Sequence, residues 1–136
     1  MNKDIVESVD HIGYAVKDIY SAIGIFEALG YRFQPPVVDA YRKVNVCVGK
    51  WRGLKVELLS PLDGGKSPID GIIQKNGATP YHICYKVKDI HAAIERLRGH
   101  GFLLIDNPAG SDPLGGDVCF LFSPEVGIVE LIKNWF

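Results

Sequence analysis

A chain of 136 residues is long enough for one domain with its own apolar core, and its formal net charge of −1 reflects 15 basic and 16 acidic residues. This balance leaves no basic stripe for a nucleic acid, and no apolar run approaches the ~20 residues that span a membrane. Three scattered cysteines without a CxxC pair, together with a polar beginning unlike an export signal, predict reduced thiols and a cytoplasmic protein.

The first predicted elements are a strand over residues 8–16 and a helix over residues 18–29. The strand alternates an apolar set, which we assign to the helix-packing face, with a set that includes His11. Asp18 stands where a helix N-cap belongs, just before apolar residues at helical spacing. Gly30 follows the last turn, where a left-handed residue commonly ends a helix.

Three further strands are predicted in the first half of the chain. One begins near Tyr31 and is interrupted by Pro35-Pro36, a pattern typical of an edge strand. Residues 42–48 alternate, and residues 54–59 form the last strand. In residues 42–48 we assign the valines to the helix-packing face, and to the opposite face Lys43, Asn45 and Cys47.

The second half follows the same order after a linker over residues 63–79, which is rich in chain-breaking residues and contains a possible short helix at residues 69–75. The predicted elements are a strand at 81–88, a helix at 90–99, a strand at 102–106, an irregular loop at 107–116, and closing strands at 118–123 and 127–133.

The two halves contain copies of one stretch, since residues 10–31 align with residues 81–102 and share a histidine, a strand pattern and a helix. Two copies are too few for a solenoid. They predict one pseudo-symmetric domain, residues 1–136, with module one at about 8–62, the linker at 63–79 and module two at about 80–133.

Each module places one histidine at the start of its first strand and one glutamate in its last strand. A glutamate between aliphatic residues in a strand is costly to bury unless it is paired or neutralised. Either residue alone is ordinarily a core or solvated side chain, but the duplication of both favours a shared cation. Two imidazoles and two carboxylates suit Zn²⁺, Ni²⁺, Co²⁺, Mn²⁺ or Fe²⁺. The predicted metal ligands are His11, Glu57, His82 and Glu130.

The stretches VDHIGYAVKD, KVELLSPL, YHICYKVKDIHAAIERL, LIDNPAG and the closing VELI resemble the vicinal oxygen chelate (glyoxalase/bleomycin resistance/dioxygenase) superfamily, and most of all its methylmalonyl-CoA epimerases. The resemblance covers residues 9–131. It implies an α+β fold in which two paired βαβββ modules form a cup-shaped, incomplete barrel around one divalent metal ion. The four residues listed above match its metal ligands.

The resemblance further implies an isomerase or lyase that moves a proton next to a carbonyl, with Glu130 as the base. Tyr41 stands where epimerases carry a catalytic glutamate, and it is predicted to donate a hydrogen bond to a substrate oxygen. Lys43 and Asn45 are predicted to bind substrate. The alternative for Tyr41 and Lys43 is a solvated strand end. With one base, we expect metal-dependent exchange or isomerisation and weak epimerisation of methylmalonyl-CoA.

Other members of the superfamily supply the alternatives. A glyoxalase I is the second candidate, although no glutathione-binding arginine set can be matched. An antibiotic-binding protein is disfavoured by the four filled ligand positions, and an iron dioxygenase by the fourth ligand. The expected partners are a small-molecule substrate, a thioester or an α-oxo compound, and a second copy in a homodimer. Candidate contact residues of that dimer are aromatic: Trp51, Trp135 and Phe136.

Overall fold

The computed structural model describes residues 4–62 and 67–136. It has two compact units, one combining the chain up to His11 with His82–Phe136, the other comprising Ile12–Tyr81. The described helices are α1 (Ile19–Leu29), α2 (Asp70–Asn76) and α3 (Ile90–Arg98). The described strands are β1 (Val6–Ala15), β2 (Arg32–Phe33), β3 (Val37–Asp39), β4 (Val44–Trp51), β5 (Leu54–Pro61), β6 (Thr79–Val87), β7 (Leu103–Leu104), β8 (Ala109–Ser111), β9 (Gly116–Ser123) and β10 (Gly127–Asn134).

The unit formed by Ile12–Tyr81 has the strand order β2-β4-β5-β1, and β3 also pairs with β4. Strands β1 and β5 are parallel, and Gly13 lies opposite Glu57. Strand β4 is antiparallel to β5, and Val48 lies opposite Glu57 from the other side. Glu57 is therefore in an internal strand, with a neighbour on each side.

Helix α1 packs on the face of β1 that its alternation predicts. Tyr14 and Val16 contact an apolar cluster that includes Ile19 and Phe26 of the helix. The helix begins after Asp18, whose carboxylate accepts a hydrogen bond from Tyr20 N at 3.0 Å. It ends at Gly30, whose φ of 114° is left-handed and favours glycine. The sequence-based prediction of this helix and of its packing face is confirmed.

The faces of β4 are the reverse of those predicted. Cys47 packs with Val16 beneath α1, whereas Val44 and Val46 pack with Ala15 on the opposite face. That second cluster also takes up Ile69 and Ile73 from the α2 region. Alternation separates two sets of residues in a strand, but it does not state which set meets which neighbour. The assignment of Asn45 and Cys47 to the face opposite α1 was therefore wrong, whereas Lys43 lies before the strand, in the preceding turn.

The unit that contains His82–Phe136 has the strand order β1-β6-β10-β9-β7, with the beginning of β1 at its side. Strands β6 and β10 are parallel, with Cys84 opposite Glu130. Helix α3 covers an apolar cluster in which Ile90 and Ile94 meet Leu121 and Leu131. This arrangement places Glu130 in an internal strand, between β6 and β9.

The segment predicted as an irregular loop, residues 107–116, contains strand β8, which pairs with β9 so that Ala109 lies opposite Val118. A β-carbon added to Gly110 would lie 3.1 Å from Trp135 Cζ2. Gly110 therefore permits close contact with Trp135 within a short strand, and it does not interrupt that strand.

The predicted linker, residues 63–79, falls partly on residues 63–66, which lie outside the described residues. Its remainder forms α2 and the beginning of β6, so the predicted short helix is confirmed. The assignment of all 136 residues to one domain stays a prediction. Among the described helices, none is long and apolar enough to cross a membrane. The mixed α+β class is confirmed by the three helices and the strands between them.

Candidate metal centre

Three of the four predicted ligands converge within the unit that contains His82–Phe136. They come from neighbouring strands, His11 from β1, His82 from β6 and Glu130 from β10. Glu130 lies opposite Cys84, which is two residues from His82 and therefore on the same face of β6. Their exposed fractions are 0% for His11, 4% for His82 and 2% for Glu130, so all three side chains are withdrawn from water.

The donor atoms of these side chains form a nearly equilateral triangle. His11 Nε2 lies 3.2 Å from His82 Nε2, and Glu130 Oε1 lies 3.0 Å from His11 Nε2 and 2.9 Å from His82 Nε2. Ligands at about 2.1 Å from a six-coordinate ion stand about 3.0 Å apart on adjacent corners. Two imidazoles and one carboxylate with this spacing fit one face of a divalent transition-metal site.

The electrostatics of Glu130 suit a cation. Burial by itself disfavours the charged carboxylate, but the adjacent imidazoles of His11 and His82 lower its pKa from 4.5 to about 2. The carboxylate is thus ionised at neutral pH in a buried position. A divalent ion bound beside the two imidazoles would interact directly with this negative charge.

Three further residues contact or lie beside the two histidines. None of them was given a role from the sequence. His11 Nδ1 donates a hydrogen bond to Asp10 Oδ2 at 2.8 Å. The ring of Phe120 meets His82 edge-on, with centroids 5.2 Å apart. Burial raises the pKa of the Cys84 thiol, which lies beside His11, so that it stays protonated. Of the three, only Asp10 had a visible signal, since it is an acidic residue directly before His11.

The fourth predicted ligand, Glu57, belongs to the other unit. It is 4% exposed in β5, between Val48 of β4 and Gly13 of β1. The prediction that this glutamate lies in a largely buried strand is confirmed. Its role as a metal ligand stays a prediction.

The predicted substrate-side residues occupy a turn and the start of β4. Tyr41 is 71% exposed, and the Arg42 guanidinium lies 5.2 Å from its ring centroid. Lys43 closes the turn with a left-handed φ of 58°. The amide of Asn45 donates to Ser60 Oγ at 3.3 Å, on the side of β4 that also carries Cys47, away from Glu57. This placement contradicts the predicted orientation of Asn45, whereas the roles of Tyr41 and Lys43 stay predictions.

Asp39 is the acidic residue nearest to Tyr41 in the chain, and it is engaged elsewhere. Its carboxylate accepts hydrogen bonds from Arg42 N at 3.0 Å and from Arg42 Nη1 at 2.9 Å. The Asp39 carboxylate is therefore held by Arg42, three residues later in the chain.

The chain is similar to known proteins. Residues 10–120 match the model of the glyoxalase/bleomycin resistance protein/dioxygenase superfamily. The chain is 36% identical over 99 residues to an ethylmalonyl-CoA/methylmalonyl-CoA epimerase of Cereibacter sphaeroides, covering 71% of this chain and 73% of the relative. It is 32% identical over 127 residues to the mitochondrial methylmalonyl-CoA epimerase of Mus musculus, covering 90% and 71%.

The fold is similar to that of solved structures. The crystal structure of methylmalonyl-CoA epimerase from Mycobacterium tuberculosis superposes with a TM-score of 0.83, covering 98% of this chain and 92% of that one at 23% identity. The glyoxalase-like fold predicted from the sequence is confirmed by this similarity.

Proposed function

The chain belongs to the glyoxalase/bleomycin resistance protein/dioxygenase superfamily, and on that premise we propose that it uses a divalent metal ion to move a proton next to the carbonyl of an acyl-CoA thioester. The epimerases among its relatives confirm the prediction of an enzyme of the isomerase type. The observation that carries the proposal is the buried triangle of His11, His82 and Glu130 donor atoms.

We include Glu57 in the proposed ligand set because of its register. It lies opposite Gly13 in β1, and Gly13 shares a strand face with His11, two residues earlier. Glu57 is therefore placed on the histidine-bearing side of β1. The proposed ion is Zn²⁺, Ni²⁺, Co²⁺, Mn²⁺ or Fe²⁺, all of which accept imidazole and carboxylate ligands.

The bound ion would supply a Lewis acid that favours negative charge on the substrate oxygen. The protein's own contribution begins with Glu130, the proposed base. Its ionised carboxylate lies 3.0 Å from His11 Nε2 and 2.9 Å from His82 Nε2, and these contacts must loosen before it can take a substrate proton. The buried position of all three side chains excludes water, which strengthens electrostatic interactions there.

The proposed substrate is a malonyl-type thioester such as methylmalonyl-CoA, because the curated relatives are named for that class. Purified protein would be incubated with one isomer in heavy water. Incorporation of deuterium at the α-carbon should depend on the metal and should outpace net inversion, since Glu130 is the one proposed base. A Glu130→Gln variant should lose both. Metal-loaded wild-type protein that exchanges no α-proton would contradict the proposed function.

Tyr41 separates one-base from two-base chemistry in the same assay. If it donates a hydrogen bond to a substrate oxygen, Tyr41→Phe should cost about 2–4 kcal/mol of transition-state stabilisation, as for one lost oxyanion donor. Tyr41→Glu should raise net inversion by restoring a second base. Inversion as fast as deuterium incorporation in the wild type would show that another residue already serves as that base.

An iron dioxygenase is the second candidate, because two histidines and one glutamate also form the ligand triad of non-haem iron oxygenases. It predicts oxygen consumption by Fe²⁺-loaded protein with a catechol. We expect none, since Glu57 is proposed to fill a fourth ligand position.

We further propose a cytoplasmic homodimer. Exposed aromatic residues support an interface: Trp51 is 41% exposed, Trp135 is 45% exposed, and Phe136 is fully exposed. Light scattering at micromolar concentration should give about twice the chain mass of 15.0 kDa. A mass equal to that of one chain would contradict the dimer.

A further inference from the structure

We propose that Asp10 is the positioning carboxylate of the metal centre, which holds the His11 ring so that its Nε2 faces the metal ion. The inference rests on the proposed function, because it assigns a role toward the same ion. Its basis is the 2.8 Å hydrogen bond from His11 Nδ1 to Asp10 Oδ2. Both side chains are shielded from water, with His11 0% and Asp10 10% exposed.

This contact does not follow from strand geometry. Consecutive residues of a strand point to opposite faces of the sheet, so the side chains of Asp10 and His11 are not expected to meet. Asp10 must turn back toward the strand edge to reach Nδ1. The carboxylate is thereby partly removed from water, which is unfavourable unless the interaction with His11 offsets it.

The chemistry of imidazole explains what the contact achieves. With the Nδ1 proton donated to a carboxylate, the Nε2 lone pair is free to bind a metal, and the ring becomes a better electron donor. His11 Nε2 is the atom that forms the triangle with His82 and Glu130. One hydrogen bond therefore sets both the ring orientation and the tautomer that metal binding needs.

The internal repeat shows that an acidic residue precedes the first of the two histidines but not the second. Aligned on the two histidines, the position of Asp10 is taken by Tyr81 in the second copy. Tyr81 packs against an apolar cluster that contains Ala15 and Ile73. The two copies therefore differ at the position before the histidine, and in the first copy that position contacts His11.

The test measures metal affinity in the full-length protein and does not depend on turnover. Dissociation constants for Zn²⁺ would be obtained by competition with a chelator for wild type, Asp10→Ala, Asp10→Asn and the control Asp112→Asn, which removes an exposed acidic residue of a turn. Asp10→Ala should weaken binding about 10–100-fold. The Zn²⁺ affinity of Asp10→Asn, which keeps a hydrogen-bond acceptor but no charge, should lie between those of Asp10→Ala and the wild type. The affinity of the control should match that of the wild type.

A spectroscopic readout separates positioning from a general structural role. In Zn²⁺-loaded wild-type protein labelled at histidine nitrogens, NMR should show His11 protonated at Nδ1, and Asp10→Asn should shift that proton while leaving His82 unchanged. If Asp10→Ala does not fold, Asp10→Asn carries the test alone. Affinity within twofold of wild type for the folded variants would overturn the inference and leave the proposed function standing. Wild-type protein that binds no divalent ion would overturn both.

Discussion

The opening strands of the two halves carry the same histidine but different neighbours. In β1, Asp10 precedes His11 and binds its Nδ1, whereas in β6 Tyr81 precedes His82 and packs into an apolar cluster. The position before the histidine thus serves the candidate metal centre in one half and the core in the other. The two copies share the candidate ligand and differ at the position before it.

The closing strands of the two halves carry the same glutamate, in VELL and in VELI, and both are buried. Glu130 contacts both histidines directly, whereas the ligand role of Glu57 rests on the strand register. Matched substitutions of Glu57 and Glu130 can therefore show whether the two glutamates contribute equally to metal binding.

The largest expected effect comes from this glutamate pair. Glu130→Ala should abolish binding of a stoichiometric divalent ion, because it removes the anionic donor that contacts both imidazoles. Glu57→Ala should weaken binding less, by about 10–100-fold. Elemental analysis after gel filtration, with His82→Ala as a reference for a lost ligand, measures both. Equal loss in the two glutamate variants would contradict the proposed inequality of the halves.

Core truncation should affect the two halves equally. Leu131 and Leu58 are both 0% exposed, in separate apolar clusters. Replacement of either by alanine should cost about 2–5 kcal/mol of unfolding free energy, from lost burial and the cavity left behind. The control Leu29→Ala, at a position that is 64% exposed, should change little. Urea denaturation of metal-free protein would measure the costs, and a near-neutral Leu58→Ala would show that the halves contribute unequally.

The turns that lead into β4 and β9 end in different residue types. Both end in a left-handed residue, Lys43 with φ 58° and Gly115 with φ 70°. Because a side chain is unfavourable in that region, Lys43→Gly should stabilise the protein by about 0.5–1 kcal/mol, and Gly115→Ala should destabilise it by about 1 kcal/mol. Thermal unfolding tests both. If Lys43 also binds substrate, Lys43→Gly should raise KM while it raises Tm.

The smallest expected effect concerns the caps of α1 and α3. Asp18 accepts hydrogen bonds from Ser21 Oγ and Tyr20 N, which together lower its pKa below 3.8, and Asp89 accepts one from Ala92 N. Either alanine substitution should lower Tm at pH 7 by roughly 3–5 °C.

The decrease in Tm caused by Asp18→Ala should become smaller at low pH. A lowered pKa in the folded state means that the carboxylate stabilises the protein above its ordinary pKa and loses this contribution as the pH falls through the lowered value. Calorimetry of metal-free protein at pH 7 and pH 3 would show the difference between wild type and variant decreasing. A difference that stayed constant would indicate that the charge of Asp18 does not contribute.

Much of the candidate site could be predicted from the sequence. The repeat placed His11 and His82 at matching positions, and the aliphatic neighbours of Glu130 indicated burial. An acidic residue before His11 was visible in the sequence, but its contact with His11 could not be predicted, because adjacent strand residues normally face opposite sides. Asn45 was placed on the wrong face, because both sides of β4 pack against apolar neighbours, as Val46 and Cys47 show.

The sequence by itself determined the helices and most strands, because the apolar periods of 3.6 and 2 residues and the capping residues are local signals. It also determined the repeat, and with it the candidate ligands. Only the tertiary structure decided which face of β4 meets α1, that residues 109–111 form a strand, and that Asp10 turns toward His11. Each of these depends on partners distant in the chain or on one side-chain rotation, and no local pattern records either.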